Sequence, residues 1–231
     1  MEARKATAAP ISKTSPRRER SGYRPDFRPI LKNRLALAYI LGYAAHMWEL
    51  FGLRSWIVAF LVYSQGLQPV GSYQPGATRI AFALSLIGLP ASILGNEAAR
   101  RFGRRKTITA IMVCSGLLCV TIGFNPALPF WLLTVLCLLY GAVLVGDSAA
   151  LTAGAVEAAS DGYRGTTLAL HSAAGFGAAF LGPLAVGVVL DFFQQTPTIQ
   201  WGMGFLCMAL GCGAGPFFLY RLARTGIKTE R

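Results

Sequence analysis

The sequence predicts an all-α membrane protein of six transmembrane helices. Three observations lead there. Of the 231 residues, 54% are hydrophobic and 14% charged, against about 25% charged in an ordinary soluble domain. Six apolar stretches are each long enough to cross a hydrocarbon layer of about 30 Å at 1.5 Å per residue. The basic residues sit between these stretches instead of gathering on one face.

The spans are predicted at 35–63, 79–99, 107–123, 128–150, 166–190 and 200–220. The first opens after the polar run ending at Arg34 and closes before a turn region, Gly66 to Gly76, that holds Pro69 and Pro75. The second leads from that turn to the basic segment Arg100 to Lys106, beyond which the third begins. Asn125-Pro126 separates the third from the fourth, and the polar stretch 157–164 separates the fourth from the fifth. Pro197, between Gln194 and Thr198, divides the fifth from the sixth, because proline and its polar neighbours favour turns. Residues 1–34 are basic, rich in proline and without an apolar run, so they read as a flexible cytoplasmic tail or linker. Residues 35–222 form the membrane domain, and 223–231 a short cytoplasmic C-terminal tail.

Of 22 Lys and Arg residues, 10 fall in the first 34 positions, 5 between Arg100 and Lys106, and 4 from Arg221 onward. Connections on the other side hold only Arg79, at a helix edge. The positive-inside rule therefore places both termini in the cytoplasm of a cell membrane crossed several times. The formal charge of +12 is explained by topology, and no basic patch with interleaved aromatics suggests nucleic acid. No short apolar core follows a brief basic start, so the N-terminus does not read as a signal peptide. The five cysteines all lie in apolar stretches, without a CxxC pair or a histidine at zinc spacing. They read as small apolar side chains, and no metal or cofactor is expected.

The strongest local signal is GNEAARRFGRRK, Gly95 to Lys106, between the second and third spans. It resembles the signature loop of the major facilitator superfamily, in which glycine is followed by three residues, then Asp, Arg, an aromatic, Gly, Arg and Arg. Arg101, Phe102, Gly103, Arg104 and Arg105 match that pattern; Arg100 stands where the acid is expected and Asn96 where the glycine is, with Gly95 one place early. Asp147 or Glu97 can stand in for the missing acid. A loop that only sets topology is the plainer alternative.

A second resemblance to the same superfamily lies in the fifth span, from Arg164-Gly165 through GFGAAFLGPLAVG. Gly175, Ala179, Pro183 and Gly187 recur every four residues, which leaves a helix face bare enough for close approach of another backbone. Gly182-Pro183 is expected to bend the helix, since proline removes one hydrogen bond. Packing is the first role for Gly182, Pro183 and Gly187, and gating the second.

The third cluster, YAAHMWELFGLRSW, places His46, Glu49 and Arg54 in the first span. His46 and Glu49 are three apart and share a helix face. Counting from Leu35, Glu49 lies about 21 Å along the helix, in the middle of the membrane. A carboxylate at that depth costs at least about 2.5 kcal/mol unless paired, wetted or protonated, so its default reading is functional. Glu49 and His46 can hold and pass a proton, while Arg54 can present a planar fork to an anion. Alternatively the three satisfy one another or another helix. His171, early in the fifth span, either reaches water or lines a cavity. Asp147 and Asp191 read as residues at span ends, and Trp131 and Trp201 as interfacial anchors.

An intramembrane serine protease would need Ser148 as nucleophile and His171 as base. Gly146-Asp147-Ser148-Ala149 lacks a glycine after the serine, and no enzymatic activity is expected. The resemblance instead implies half of a major-facilitator fold, built from two inverted three-helix units, since the superfamily has twelve helices in two halves. The basic segment Asp26 to Arg34 resembles the linker before the seventh helix, which favours the C-terminal half. Overall similarity points toward porters of cyanate, nitrate and related anions. What the resemblance implies is proton-coupled transport of a small solute by alternating access, with the lipid bilayer and a second six-helix half or a second copy as partners. A non-transporting membrane subunit, or a truncated transporter fragment that associates with a partner, is the alternative.

Overall fold

In a computed structural model, the chain is described for residues 26–72 and 74–226. Among these the structure is wholly helical: α1 (Arg28–Lys32), α2 (Arg34–Gly66), α3 (Ala77–Phe102), α4 (Arg104–Gly123), α5 (Phe130–Val145), α6 (Ser148–Glu157), α7 (Arg164–Phe192) and α8 (Pro197–Gly226). Most of the segment expected to be a flexible tail, residues 1–25, lies outside the described residues. Its end is helical, and Ile30 of α1 is buried. The C-terminal helix α8 continues past the predicted end to Gly226.

Five stretches are long and apolar enough to cross a membrane: α3, α4, the pair α5 and α6 taken together, α7, and the Ile199–Leu222 part of α8. The first predicted span is also a long helix, the 33-residue α2. Its polar residues His46, Glu49 and Arg54 dilute its apolar character. Asn33 starts it: the side-chain oxygen accepts from the Ala36 amide at 3.0 Å, capping the first turn, while Nδ2 donates to the Ala158 carbonyl at 2.6 Å.

The hub of the bundle is α2. It packs against α7 and α8 most extensively, and also against α6, α3 and α5. Its buried residues include Tyr39, Ile40, Leu50, Leu53, Ile57 and Phe60, which point in several directions. A helix apolar on most sides is one enclosed by others. Glycines let its neighbours come close. A methyl group at Gly182 of α7 would sit 2.6 Å from the Trp48 carbonyl oxygen, and one at Gly211 of α8 2.6 Å from the Ala45 carbonyl oxygen. Two indoles fasten the same faces: Trp48 Nε1 donates to the Cys207 carbonyl of α8 and Trp56 Nε1 to the Pro183 carbonyl of α7, both at 3.0 Å.

The buried face of α7 runs through Gly175, Ala179, Gly182, Val186 and Leu190. The expected four-residue row departs from it at Pro183 and Gly187, which are only partly buried. The reason is geometric: an α-helix turns once in 3.6 residues, so a strict spacing of four drifts off the contact line. On the opposite side Phe176, Phe180, Leu184 and Val188 are exposed, an apolar stripe suited to acyl chains.

Two connections differ from expectation. The fourth apolar run is two helices, because the chain breaks at Gly146 and Asp147 between α5 and α6. Gly95 of α3 lies so close to the Gly146 carbonyl that no side chain fits there. The basic segment 100–106 is almost all helical, and the whole turn between α3 and α4 is Gly103, at φ +94°. Glycine adopts that backbone freely and other residues rarely do. Trp131 is exposed, as an interfacial residue would be, whereas Trp201 is buried and packs edge-on against Phe60 with ring centroids 5.4 Å apart.

Candidate functional site

Near the middle of the bundle, several helices deliver polar side chains to an otherwise apolar interior. Glu49 of α2 is 3% exposed. Its Oε1 accepts from Ser115 Oγ of α4 at 2.8 Å and from the Tyr140 hydroxyl of α5 at 2.9 Å. Cys212 of α8 borders the same carboxyl. Ser115 is about 17 Å along the 20-residue α4, and Tyr140 about 15 Å along α5, so the carboxyl lies at mid-depth.

One turn away on α2, His46 Nδ1 lies 2.8 Å from Asp147 Oδ1, with both side chains almost wholly buried. Asp147 precedes α6 but does not cap it, so the break between α5 and α6 turns its carboxylate toward α2. Expected as a span-end residue and as a stand-in for the loop's missing acid, Asp147 is instead a buried partner of His46. A charge taken into an apolar interior is costly unless it is paired or hydrogen-bonded.

The chain of polar groups continues. The Tyr43 ring stacks on His171 of α7 with centroids 3.9 Å apart, and on His46 at 5.9 Å. His171 is buried, and its Nε2 lies 3.3 Å from Thr152 Oγ1 of α6. The residue beside it is thus Thr152, not Ser148. His46 Nε2 and His171 Nδ1 make no hydrogen bond among the described residues. The site therefore runs from Ser115, Tyr140 and Glu49 through His46 and Asp147 to Tyr43, His171 and Thr152, with spare capacity on two imidazoles.

Arg54 stands apart from this cluster. It is exposed, its guanidinium lies 5.7 Å from the Phe51 ring centre, and no carboxylate pairs with it among the described residues. The alternative in which it satisfies Glu49 does not describe the observed arrangement, because Glu49 faces inward to α4 and α5. Beside Arg54 a cavity of about 400 Å³ opens between α2, α3 and α5, walled by Leu53, Ile57, Leu84 and Leu144.

At the α3–α4 turn, Glu97 accepts from Arg101 at 2.8 Å and from Arg100 at 3.5 Å, all on one helix. Arg104 donates to Glu157 of α6 at 2.7 Å, among the described residues the one ion pair of this turn that joins distant segments. Glu97 thus does take up two of the loop arginines. Arg105 and Asn96 form no side-chain pair with these acids.

Sequence reading missed Ser115, Tyr140, Tyr43 and Thr152. A tyrosine within LLYG and a serine within CSG were the available signals, but each is common in apolar helices, and only the bundle brings them to Glu49.

Comparison with protein-family models finds no match. Among curated proteins the chain is similar to an uncharacterized MFS-type transporter, YfnC, of Bacillus subtilis (strain 168), at 30% identity over 119 residues. The match covers 51% of this chain and 28% of that protein. The chain is therefore a helical, membrane-type protein similar over half its length to a transporter, and the similarity is not to an enzyme.

Proposed function

We propose that the chain is a six-helix unit of a secondary transporter, with α2, α3, α4, the α5 and α6 pair, α7 and α8 as its spans. It moves a small solute by alternating access, coupled to protons, across the cell membrane with both ends in the cytoplasm. The observation that carries this reading is Glu49, a mid-depth carboxyl held by hydroxyl donors from two other helices. Protonation gives such a carboxyl a donor on its other oxygen and turns the charge-assisted bonds from Ser115 and Tyr140 into weaker neutral ones. A change of proton at one atom is thereby converted into a change in how α2 is tied to α4 and α5.

His46, Asp147, Tyr43 and His171 supply the route by which a proton leaves or reaches Glu49. Arg54 and its cavity lie on the side where solute enters. A second six-helix unit, from another polypeptide or a second copy, covers the face that bears Arg54, because a cation exposed within the membrane is costly against acyl chains. The alternating units are α2 to α4 and α5 to α8, related by inversion.

The test uses proteoliposomes containing a pH-sensitive dye and gradients of nitrate and benzenesulfonate, two permanently charged anions. Solute-evoked proton movement in the wild type and its loss in Glu49→Gln, with membrane insertion retained, supports the reading. Proton movement unchanged by the substitution removes Glu49 from the mechanism. No movement at high protein density favours the second reading, a non-transporting subunit.

A further inference from the structure

We propose that the cavity beside Arg54 binds a compact organic anion with an apolar body, an inference that rests on the transporter reading and names its substrate class. The first argument is depth. Arg54 lies about 30 Å from the start of α2, level with Ser85, which is about 12 Å from the start of a 26-residue α3. An arginine so far inside a membrane demands a counter-charge.

The described residues hold none for it. Glu49 is engaged by Ser115 and Tyr140, Asp147 faces His46, and Glu97 and Glu157 bind arginines of the α3–α4 turn. The guanidinium is poised over Phe51, one turn toward the start of the helix. A cation–π contact holds it there without using its planar fork of donors.

The walls fix what else the ligand must be. Leu53, Ile57, Leu84, Leu144 and Val145 are apolar. The hydroxyl of Ser85 donates to the Ala81 carbonyl at 3.1 Å. A volume of about 400 Å³ falls in the range of cavities that enclose whole organic ligands, about 300 to 1,000 Å³. A bare triatomic or tetratomic oxyanion would meet Arg54 and leave most of that apolar lining uncovered. A carboxylate or sulfonate on a ring or short chain satisfies both the fork and the walls.

Equilibrium dialysis of the detergent-solubilised full chain at one pH tests this, with benzenesulfonate as probe and benzenesulfonamide as its neutral counterpart. Saturable sulfonate binding is expected, with none of the sulfonamide. Arg54→Gln should weaken sulfonate binding about tenfold or more and Arg54→Lys less, since lysine keeps the charge and loses the fork. Ala81→Phe should weaken it by filling the cavity, and thermal unfolding checks that each variant is folded. Equal binding of the sulfonamide, affinity unchanged in a folded Arg54→Gln, or displacement by an equal concentration of nitrate overturns the proposal. Binding that depends on Arg54 without anion-evoked proton movement would keep this site and remove the transport reading. Proton movement without such binding would do the reverse.

Discussion

The Tyr140 hydroxyl of α5 donates a 2.9 Å hydrogen bond to Glu49 Oε1 of α2, beside a 2.8 Å bond from Ser115 of α4 to the same oxygen. One carboxyl oxygen thus joins α2 to α4 and α5, from which the chain separates it by the whole of α3. Removing either donor should be felt at the other. Tyr140→Phe and Ser115→Ala are each expected to cost about 1.5 to 3 kcal/mol, the range for hydrogen bonds to charged groups. Their double variant should cost more than the sum, because either bond alone still anchors the carboxyl and loss of both leaves it without a hydroxyl donor in the interior. Thermal unfolding of the four proteins in detergent measures this, and strict additivity would mean that the bonds act independently.

Breaking the His46 and Asp147 contact should cost more. Asp147→Ala leaves His46 buried beside a void, and loss of one member of a buried pair typically costs about 3 to 5 kcal/mol. In a double-mutant cycle, His46→Ala combined with Asp147→Ala should recover part of that loss. If the cycle gives no coupling energy, the 2.8 Å approach contributes nothing to stability.

The glycine contacts allow a paired comparison on one helix. Gly182→Ala forces a methyl against the Trp48 backbone, which cannot rotate away, and should destabilise by about 1 to 3 kcal/mol. Gly177→Ala meets open space and should change stability by less than about 0.5 kcal/mol, or raise it slightly through helix propensity. Equal melting temperatures for the two variants would deny that α7 is seated closely on α2.

The Arg104 and Glu157 pair at 2.7 Å is partly exposed on its acidic side, and its worth should be small. Arg104→Ala is expected to lower stability by no more than about 1 kcal/mol, with much of the effect gone in high salt. A charge exchange, Arg104→Glu with Glu157→Arg, should restore most of it. A loss that survives 1 M salt would point to packing of the arginine stem instead.

Orientation has its own check. Ser72→Cys, in the connection before α3, and Arg105→Cys, at the start of α4, flank opposite ends of α3. A membrane-impermeant maleimide added to intact cells should label the first and not the second, with the reverse in inside-out vesicles. The opposite pattern would invert the topology derived from the basic residues.

The long elements were legible because hydrocarbon thickness imposes a minimum apolar length, and each predicted span lies within a helix except the fourth, which starts two residues before α5 and runs across the break into α6. What was not legible is what depends on where helices meet. The break at Gly146 and Asp147 falls inside a continuous apolar run, so hydropathy passes over it. Glu49 stood out by its depth alone, but Ser115 and Tyr140 gave no comparable signal, since hydroxyls are cheap to carry in any apolar helix. Asp147 was assigned to a boundary because its distance from the turn was known and its direction was not. Trp201 shows the same limit, for an indole near a span end looks alike whether it meets headgroups or Phe60.

The single glycine between α3 and α4 leaves these two rods no slack. In the transport cycle proposed for the chain, any tilting must carry both together at that end, like two arms of a folding rule joined by one pin. Separation of the pair can open only toward the far surface. Lengthening the pin, for example by inserting two residues after Gly103, would let the near ends drift apart and should leave the unit folded but unable to hold one side shut while the other opens.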